Sequence, residues 1–418
     1  MKVYKFGGAS VKDAASVRNL ADIVKSSDRP LVVVISAMGK TTNALEKILR
    51  QYFDHDNSLR ESVDKLFSFH FDIVKDLFRK ESEIIEQLQK IFDKLYEKLS
   101  DEPTMTYNFE YDQIVSYGEI ISTTIVNAYL NESGCSSEWY DIRKILKTDE
   151  NYREAKVDFE TSAEMVRSAF NTLGNHVYVT QGFIGSTKNN LTTTLGREGS
   201  DYTAALLAYF LDAESVTVWK DVPGVLNADP KWFDNTVKLD SLSYTDAVEL
   251  AFYGASVIHP KTIQPLKQKK IPLWVKSFVE TNAKGTLVGE THYKELIPCF
   301  IFKMDQVLID IFPTDLSFIA EDNLQDIFAV FSKFGLKVNI MQNTAVHFSV
   351  CVNNDKSLLE QIINELKQKF QVSVTKDLEL ITIRYYDTET INRVIVNKEL
   401  VLEQRSRTTI QMLVKDKG

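Results

Sequence analysis

The chain has 418 residues, 44% of them hydrophobic, and a formal net charge of -9, which is enough for two or three domains with ordinary cores. The charges are spread without long acidic or basic blocks, so nucleic acid and anionic membrane surfaces are poor candidates and small molecules are the expected partners. Cys135, Cys299 and Cys351 are far apart, odd in number and without metal-ligand spacing, which fits small core residues in a reduced, cytoplasmic setting. The start Met1-Lys2-Val3-Tyr4-Lys5 has no signal-peptide core, and apolar runs such as Leu31 to Met38 are too short to cross a bilayer.

In chain order, Val3 to Phe6 reads as a strand running into Gly7-Gly8, with Ser10 placed to cap a helix over Val11 to Ser26. Leu31 to Ser36 is a β-branched run of the kind buried in parallel sheets. Between Asn43 and about Leu99, Val63, Phe67, Phe71, Val74 and Leu77 recur at helical spacing among charges, which predicts two or three amphipathic helices. They form a packing insert or part of a lid. Asp112 to Tyr129 is predicted as one helix carrying Gly118-Glu119 inside it, followed by strands at Ser137 to Asp141 and Val177 to Thr180.

The stretch from Thr192 to Leu207 is the most informative. Gly196 and Gly199 allow a tight turn, Ser200 or Asp201 can cap a helix, and Ala204 to Leu211 continues as a helix-forming apolar run. The unpaired N–H groups of such a turn favour an anion, and Arg197 adds a cationic fork. A capped helix behind a glycine turn, with Arg197 merely solvated, accounts for the same residues. Lys5-Phe6-Gly7-Gly8-Ala9-Ser10 is a second phosphate candidate, with glycine N–H groups and a lysine placed between strand and helix. A plain turn beside a solvated lysine is the competing reading. Further strands are expected at Ser215 to Trp219 and Leu273 to Ser277, helices at Tyr244 to Tyr253 and Thr262 to Gln268, a brief strand at Val257-Ile258, and a closing strand near Gly285 to Val288.

No histidine lies in a metal-ligand pair, no nucleophile and base can be assembled by spacing, and His259 before Pro260 reads as a packed or capping residue. A carboxylate substrate, with a pKa of about 4, needs no base to attack phosphorus; cations and positioning suffice.

Beyond Leu296 the order changes to a strand (Val307 to Phe312), a helix (Leu316 to Phe334), a hairpin-like pair (Lys337 to Gln342, Val346 to Val352), a helix (Ser357 to Phe370) and a strand (Gln371 to Thr375). This βαββαβ order defines a small ferredoxin-like unit. Leu378 to Tyr385 starts a similar strand, and the residues after it are expected to hold only an incomplete second copy.

Taken together, the chain resembles aspartate kinases of the amino-acid kinase superfamily. The resemblance rests on Lys5 to Ser10, Ser36-Ala37-Met38-Gly39-Lys40-Thr41-Thr42-Asn43, Gly118-Glu119, Gln181-Gly182-Phe183-Ile184-Gly185 and Thr192 to Asp201. It continues through Asp221-Val222-Pro223-Gly224-Val225, Asp229-Pro230, Tyr253-Gly254-Ala255 and His259-Pro260-Lys261-Thr262. It implies an α/β fold, with an open, mostly parallel sheet between helices in a catalytic domain over 1–295 (helical insert about 43–104). An α+β, ferredoxin-like ACT regulatory region would follow over 296–418, its second copy truncated.

The resemblance also implies transfer of the γ-phosphoryl group of ATP, with Mg2+ carried by the nucleotide, to the side chain of L-aspartate. This is the entry step to lysine, threonine and methionine. Lys5 and Asp201 would be catalytic. Ser36, Thr42, Glu119, Phe183, Arg197 and Ser200 would bind aspartate, with Glu119 receiving the ammonium and Arg197 a carboxylate. Lys5, Gly7, Gly8, Ser10, Lys220, Asp221, Leu226, Lys231 and Lys261 would hold the nucleotide, and no metal ligand set is expected. A homodimer and an amino-acid effector, lysine or threonine, are expectations of the same kind.

The chain departs from the family pattern at Ala9 (commonly threonine), Glu198 (commonly glycine), Lys220 (often threonine) and Ser256 (often a phosphate-contacting lysine). Lys220 or Lys261 could supply the missing cation. Another amino-acid kinase, or a catalytically weak sensing subunit, are the alternative functions.

Overall fold

The computed structural model describes residues 1–418 except 80, 81, 171–175, 234, 256, 257, 292, 294, 295, 316 and 418, and the side chain of residue 82. Ser256, Val257, Leu316 and the expected boundary at 295 therefore lie outside the described residues. The chain divides into two units, Met1–Val225 with Lys238–Val248 and Val257–His292, and Leu226–Val237 with Glu249–Ser256 and Tyr293–Gly418. Two segments that precede residue 295 thus belong with the second unit, and neither carries a composition change that would announce it.

The first unit contains β1 (Lys2–Phe6), α1 (Ala14–Lys25), β2 (Leu31–Ile35), α2 (Thr41–Phe53), α3 (Leu59–Leu77), α4 (Ser82–Ser100), α5 (Tyr107–Val115), α6 (Tyr117–Glu132), β3 (Ser137–Tyr140), α7 (Phe159–Ala169), β4 (Val177–Gln181), β5 (Ile184–Ser186) and β6 (Thr192–Thr194). It continues with α8 (Gly199–Phe210), β7 (Ser215–Lys220), β8 (Ser241–Ser243), the start of α9 (Tyr244–Tyr253), α10 (Pro260–Gln268), β9 (Leu273–Ser277) and β10 (Thr286–Gly289). Eight strands form one sheet in the order β3-β4-β2-β1-β7-β9-β10-β8. Among the described residues of this sheet, only β9 and β10 pair antiparallel.

The register explains how distant motifs meet. Phe6 lies opposite both Ile35 and Trp219, Ile35 opposite Gln181, and Lys220 opposite Ser277. The turns that follow these residues therefore emerge side by side at the carboxyl edge of the sheet, where parallel sheets bind ligands. Every residue of β2 and β4 is buried, as a strand covered on both faces requires.

Local expectations are corrected at three places. The segment after β1 makes one 3-10 turn (Gly8–Val11), and α1 is capped by Asp13, whose side chain accepts from the Ser16 N–H, not by Ser10. Neither Ser200 nor Asp201 caps α8; both lie in its first turn, behind Glu198 in left-handed backbone. The single helix expected over Asp112 to Tyr129 is broken at Ser116 into α5 and α6, so Glu119 sits in a first helical turn. The predicted insert helices are α2, α3 and α4, with Val63, Leu66, Ile73, Ile84, Leu88, Phe92 and Leu95 in the main core.

In the second unit, β11 (Cys299–Pro313), α11 (Glu321–Lys333), β12 (Val338–Asn343), β13 (Phe348–Asn353), α12 (Lys356–Leu366), β14 (Phe370–Arg384), α13 (Thr388–Val394), β15 (Lys398–Arg405) and β16 (Thr409–Asp416) follow in turn. They build a six-stranded sheet in the order β12-β13-β11-β14-β16-β15, antiparallel throughout. The strands β11 and β14 are each 15 residues long and serve two modules. Register shifts between Lys303 and Leu308 separate the halves, as β-bulges do.

The half from Gln306 onward makes the βαββαβ module, packing Val307, Ile309 and Ile311 against Ile327, Phe331, Leu359 and Ile362. The other half pairs Cys299–Lys303 with Leu380–Arg384, beside β16 and β15. The residues after Tyr385 thus form a helix and two strands, and the fourth strand of this group comes from the beginning of β11. A module closed by a strand more than 70 residues upstream cannot be recognised by reading the tail in order, a span evident from the strand positions.

Candidate active site

A cavity of about 810 Å³ opens at the carboxyl edge of the first unit's sheet. Of the residues singled out in the sequence, Lys5, Ser36, Thr42, Glu119, Phe183, Arg197, Ser200, Asp201 and Lys220 line it. Lys5 points from β1 towards α8, and its Nζ lies 2.6 Å from Asp201 Oδ1. Burial works to raise the Asp201 pKa, but the charges of Lys5 and Lys220 and the Lys5 hydrogen bond outweigh it and hold the carboxyl below its ordinary value. Asp201 is therefore a buried carboxylate kept ionised by neighbouring cationic charge, on the first turn of a helix whose N-terminus favours negative charge.

Glu119 is buried in the wall of the same cavity. Its Oε1 accepts from the Ala37 N–H at 3.2 Å, while Oε2 has no hydrogen-bond partner among the described residues. Burial pushes its carboxyl up to about 8, against the opposing effects of the Ala37 and its own N–H groups and the Lys5 charge. A buried acceptor with a spare oxygen facing a cavity is suited to an ammonium group, which would favour the ionised form.

Another part of the wall is set by close backbone approach. A Cβ on Gly182 would come within 2.5 Å of Ser200 Cβ and 2.7 Å of its Cα, so only glycine lets the turn after β4 lie on α8. Phe183 then adopts φ 70, and its N–H donates to Thr203 Oγ1 at 3.1 Å.

The remaining sequence candidates sit elsewhere. Gly7 and Gly8 follow β1, where a Cβ on Gly8 would meet Ala37 O at 2.8 Å, and Ser10 Oγ donates to Trp219 O at 3.4 Å. Asp221 is exposed just after β7, and Lys261 is exposed in the first turn of α10. Leu226 and Lys231 belong to the second unit, whereas the cavity is walled by first-unit residues. The backbone N–H of Lys261 donates to His259 Nδ1 at 3.2 Å, so His259 caps α10, as the sequence suggested.

Glu198 has a different setting from the one its sequence position suggested. Its backbone is left-handed, with φ 53, and its Oε2 accepts from the His259 N–H at 3.2 Å. The carboxylate is engaged at the N-terminus of α10, where its charge is favoured, although Glu198 also lines the cavity.

Asn108, Tyr111 and the loop residues Asn151, Tyr152, Arg153 and Glu154 also line the cavity, and sequence reading had missed them. They lie on a segment with no glycine signature, held by Asp112. This buried aspartate accepts from Arg153 N at 3.1 and 3.0 Å, from Thr194 N at 2.8 Å and from Thr194 Oγ1 at 2.7 Å. Burial raises the Asp112 carboxyl to about 6, despite the hydrogen bonds from Arg153 and Thr194 and the Arg153 charge.

A buried lysine–aspartate pair, a buried carboxylate with a spare oxygen and a cavity at strand carboxyl ends are the features a small-molecule phosphotransferase requires. The chain belongs to the amino acid kinase family, whose model matches residues 1–277. Lysine-sensitive aspartokinase 3 of Escherichia coli is 30% identical over 395 residues, covering 91% of this chain and 86% of the relative. The crystal structure of E. coli aspartokinase III with aspartate and ADP superposes with a TM-score of 0.84 at 28% identity, covering 99% of this chain and 96% of that one. The same enzyme in complex with lysine and aspartate matches with the same score, identity and coverage.

Proposed function

We propose that this protein is an aspartate kinase, transferring the γ-phosphoryl group of ATP to the side-chain carboxylate of L-aspartate to give 4-phospho-L-aspartate. The observation that carries the reading is the pairing of Lys5 with Asp201 in the wall of a cavity that the half-satisfied Glu119 also lines. In this reading Glu119 receives the substrate ammonium and Arg197 a substrate carboxylate. Ser36, Thr42, Phe183 and Ser200 shape the space between them.

The side-chain carboxylate is already ionised at neutral pH, so the protein need not remove a proton. It must align the nucleophile and offset charge on the phosphoryl oxygens. Lys5 is placed to do the latter, with Gly7, Gly8 and Ser10 beside the phosphates and Lys220 and Asp221 on the nucleotide side. Among the described residues no group of three or more His, Cys, Asp or Glu side chains could hold a metal ion. One carboxylate together with substrate phosphates is a common Mg2+ environment, so Asp201 fits an ion that arrives on the nucleotide. Bound there, Mg2+ would neutralise phosphate charge.

Lys220 is the favoured substitute for the lysine absent at 256, because its charge already acts on Asp201. Lys261, exposed at the start of α10, is the weaker candidate, and the roles of Leu226 and Lys231 towards nucleotide remain proposals of the family resemblance.

The second unit is proposed to be an ACT-like regulatory region with an amino-acid effector, lysine before threonine because an E. coli relative is described as lysine-sensitive. Its sheet ends in β12 and β15, and pairing of such edges across a two-fold axis would make a homodimer. No helix among the described residues is long and apolar enough to cross a membrane, and a cytoplasmic location is proposed.

The test is a hydroxamate-trapping assay with ATP and, in turn, aspartate, glutamate and acetylglutamate. Acyl phosphate from aspartate alone supports the reading. Product from another acceptor points to a different amino-acid kinase, and no product from any points to a sensing subunit. Lysine and threonine titrations in the same assay test the effector, and sedimentation equilibrium tests the dimer.

A further inference from the structure

Two arginines line the cavity, and only Arg197 was expected there. Arg153 stands on a backbone with φ 73, a left-handed conformation that non-glycine residues disfavour. The strain is held by the buried Asp112, both of whose carboxylate oxygens accept from the Arg153 N–H. Its guanidinium lies over the Tyr111 ring, 4.5 Å from the centroid, and the Tyr111 hydroxyl donates to Glu46 Oε1 at 2.9 Å. The guanidinium therefore rests on a platform that is itself anchored. The two arginines are carried on touching backbones, since a Cβ on Gly196 would come within 3.1 Å of Arg153 O.

We propose that Arg153 is a specificity-determining residue that, with Arg197, recognises the α-carboxylate of the amino-acid acceptor. The inference rests on the aspartate kinase reading. A guanidinium stacked on an aromatic face loses little freedom when it binds a carboxylate. Two arginines on the cavity wall select an acceptor that carries a second anionic group beyond the one phosphorylated. Lys5 and Lys220 serve the phosphate side, so Arg153 distinguishes acceptors without taking part in phosphoryl transfer.

The experiment compares the full-length protein with Arg153→Gly, Arg153→Lys and Arg153→Gln. Aspartate serves as acceptor, and aspartic acid α-amide, which lacks the α-carboxylate, serves as acceptor or competitive inhibitor. For Arg153→Gly the KM for aspartate is expected to rise about tenfold or more, the loss of one charge-assisted hydrogen bond. Turnover, the KM for ATP and the affinity for the α-amide should stay within about twofold. Arg153→Lys should recover part of the loss and Arg153→Gln little of it. The melting temperature of Arg153→Gly should not fall, because glycine tolerates the left-handed backbone.

An unchanged aspartate KM, a parallel weakening of aspartate and the α-amide, or a rise in the KM for ATP instead would each overturn the proposal. Failure of the wild-type protein to phosphorylate aspartate would overturn the underlying reading, which is a separate outcome.

Discussion

The ammonium of Lys5, on the central strand β1, lies 2.6 Å from the carboxylate of Asp201, in the first turn of α8. The two residues are 196 positions apart in sequence and both are nearly inaccessible. Replacing Lys5 by alanine is expected to lower kcat about a hundred- to a thousand-fold, the usual loss for one preorganised charge partner of a transition state. Asp201→Asn should produce a loss of the same order, and the double variant should lose much less than the product of the two because they act as a unit. Steady-state kinetics of the three variants decides it.

Lys220→Ala tests whether this lysine supplies the cation missing at position 256. A fall in kcat of about tenfold or more, with Lys261→Ala near wild type, is the expected pattern, since Lys220 acts on Asp201 and Lys261 is exposed on α10. Wild-type turnover in both variants would remove the compensation idea.

Glu119 predicts a pH dependence. Its folded pKa, about 8, stands above the ordinary 4.5, so the folded state binds the extra proton and this residue's contribution to stability declines as pH rises from about 4.5 to 8. Glu119→Gln should therefore gain thermal stability relative to wild type at pH 8 and little at pH 5. It should also bind aspartate at least tenfold more weakly, because the charge that meets the ammonium is gone. Melting curves at the two pH values and the aspartate KM are the measurements.

Asp112 predicts a second window. Its pKa of about 6 is also raised, from 3.8, so the stability attached to its proton declines between about pH 4 and 6. Asp112→Ala would leave the Arg153 and Thr194 donors unsatisfied and should cost about 1–3 kcal/mol. Loosening of the loop should appear as faster hydrogen exchange at residues 151–154, and the aspartate KM should rise.

Gly182→Ala places a methyl group against the backbone of α8. The expected cost is about 1–3 kcal/mol of stability from overpacking, read from denaturant unfolding. A rise in the aspartate KM should accompany it, because Phe183 and Ser200 must move apart.

Much of this architecture is written in local sequence. The strand-turn-helix sense of Lys5 to Ser10, the β-branched run of β2 and the amphipathic spacing of α3 depend on neighbouring residues alone, through backbone preference and periodicity. Glycine turns at strand ends likewise marked the sheet edge at which the cavity opens, because few other residues permit such turns.

Other features depend on partners far away in the chain, and only the tertiary structure decided them. Glu198, on the cavity wall, also accepts from the His259 N–H, a partner 61 residues away. The second ferredoxin-like half closes with a strand from the start of β11, a long-range pairing to which the order of elements in the tail is blind. Arg153 joined the site because Asp112 holds its backbone in a conformation that its own residue type disfavours. The residues themselves determined which chemistry was available, since charge, size and backbone freedom are intrinsic; packing decided which groups face one another, since burial and hydrogen-bond partners are not.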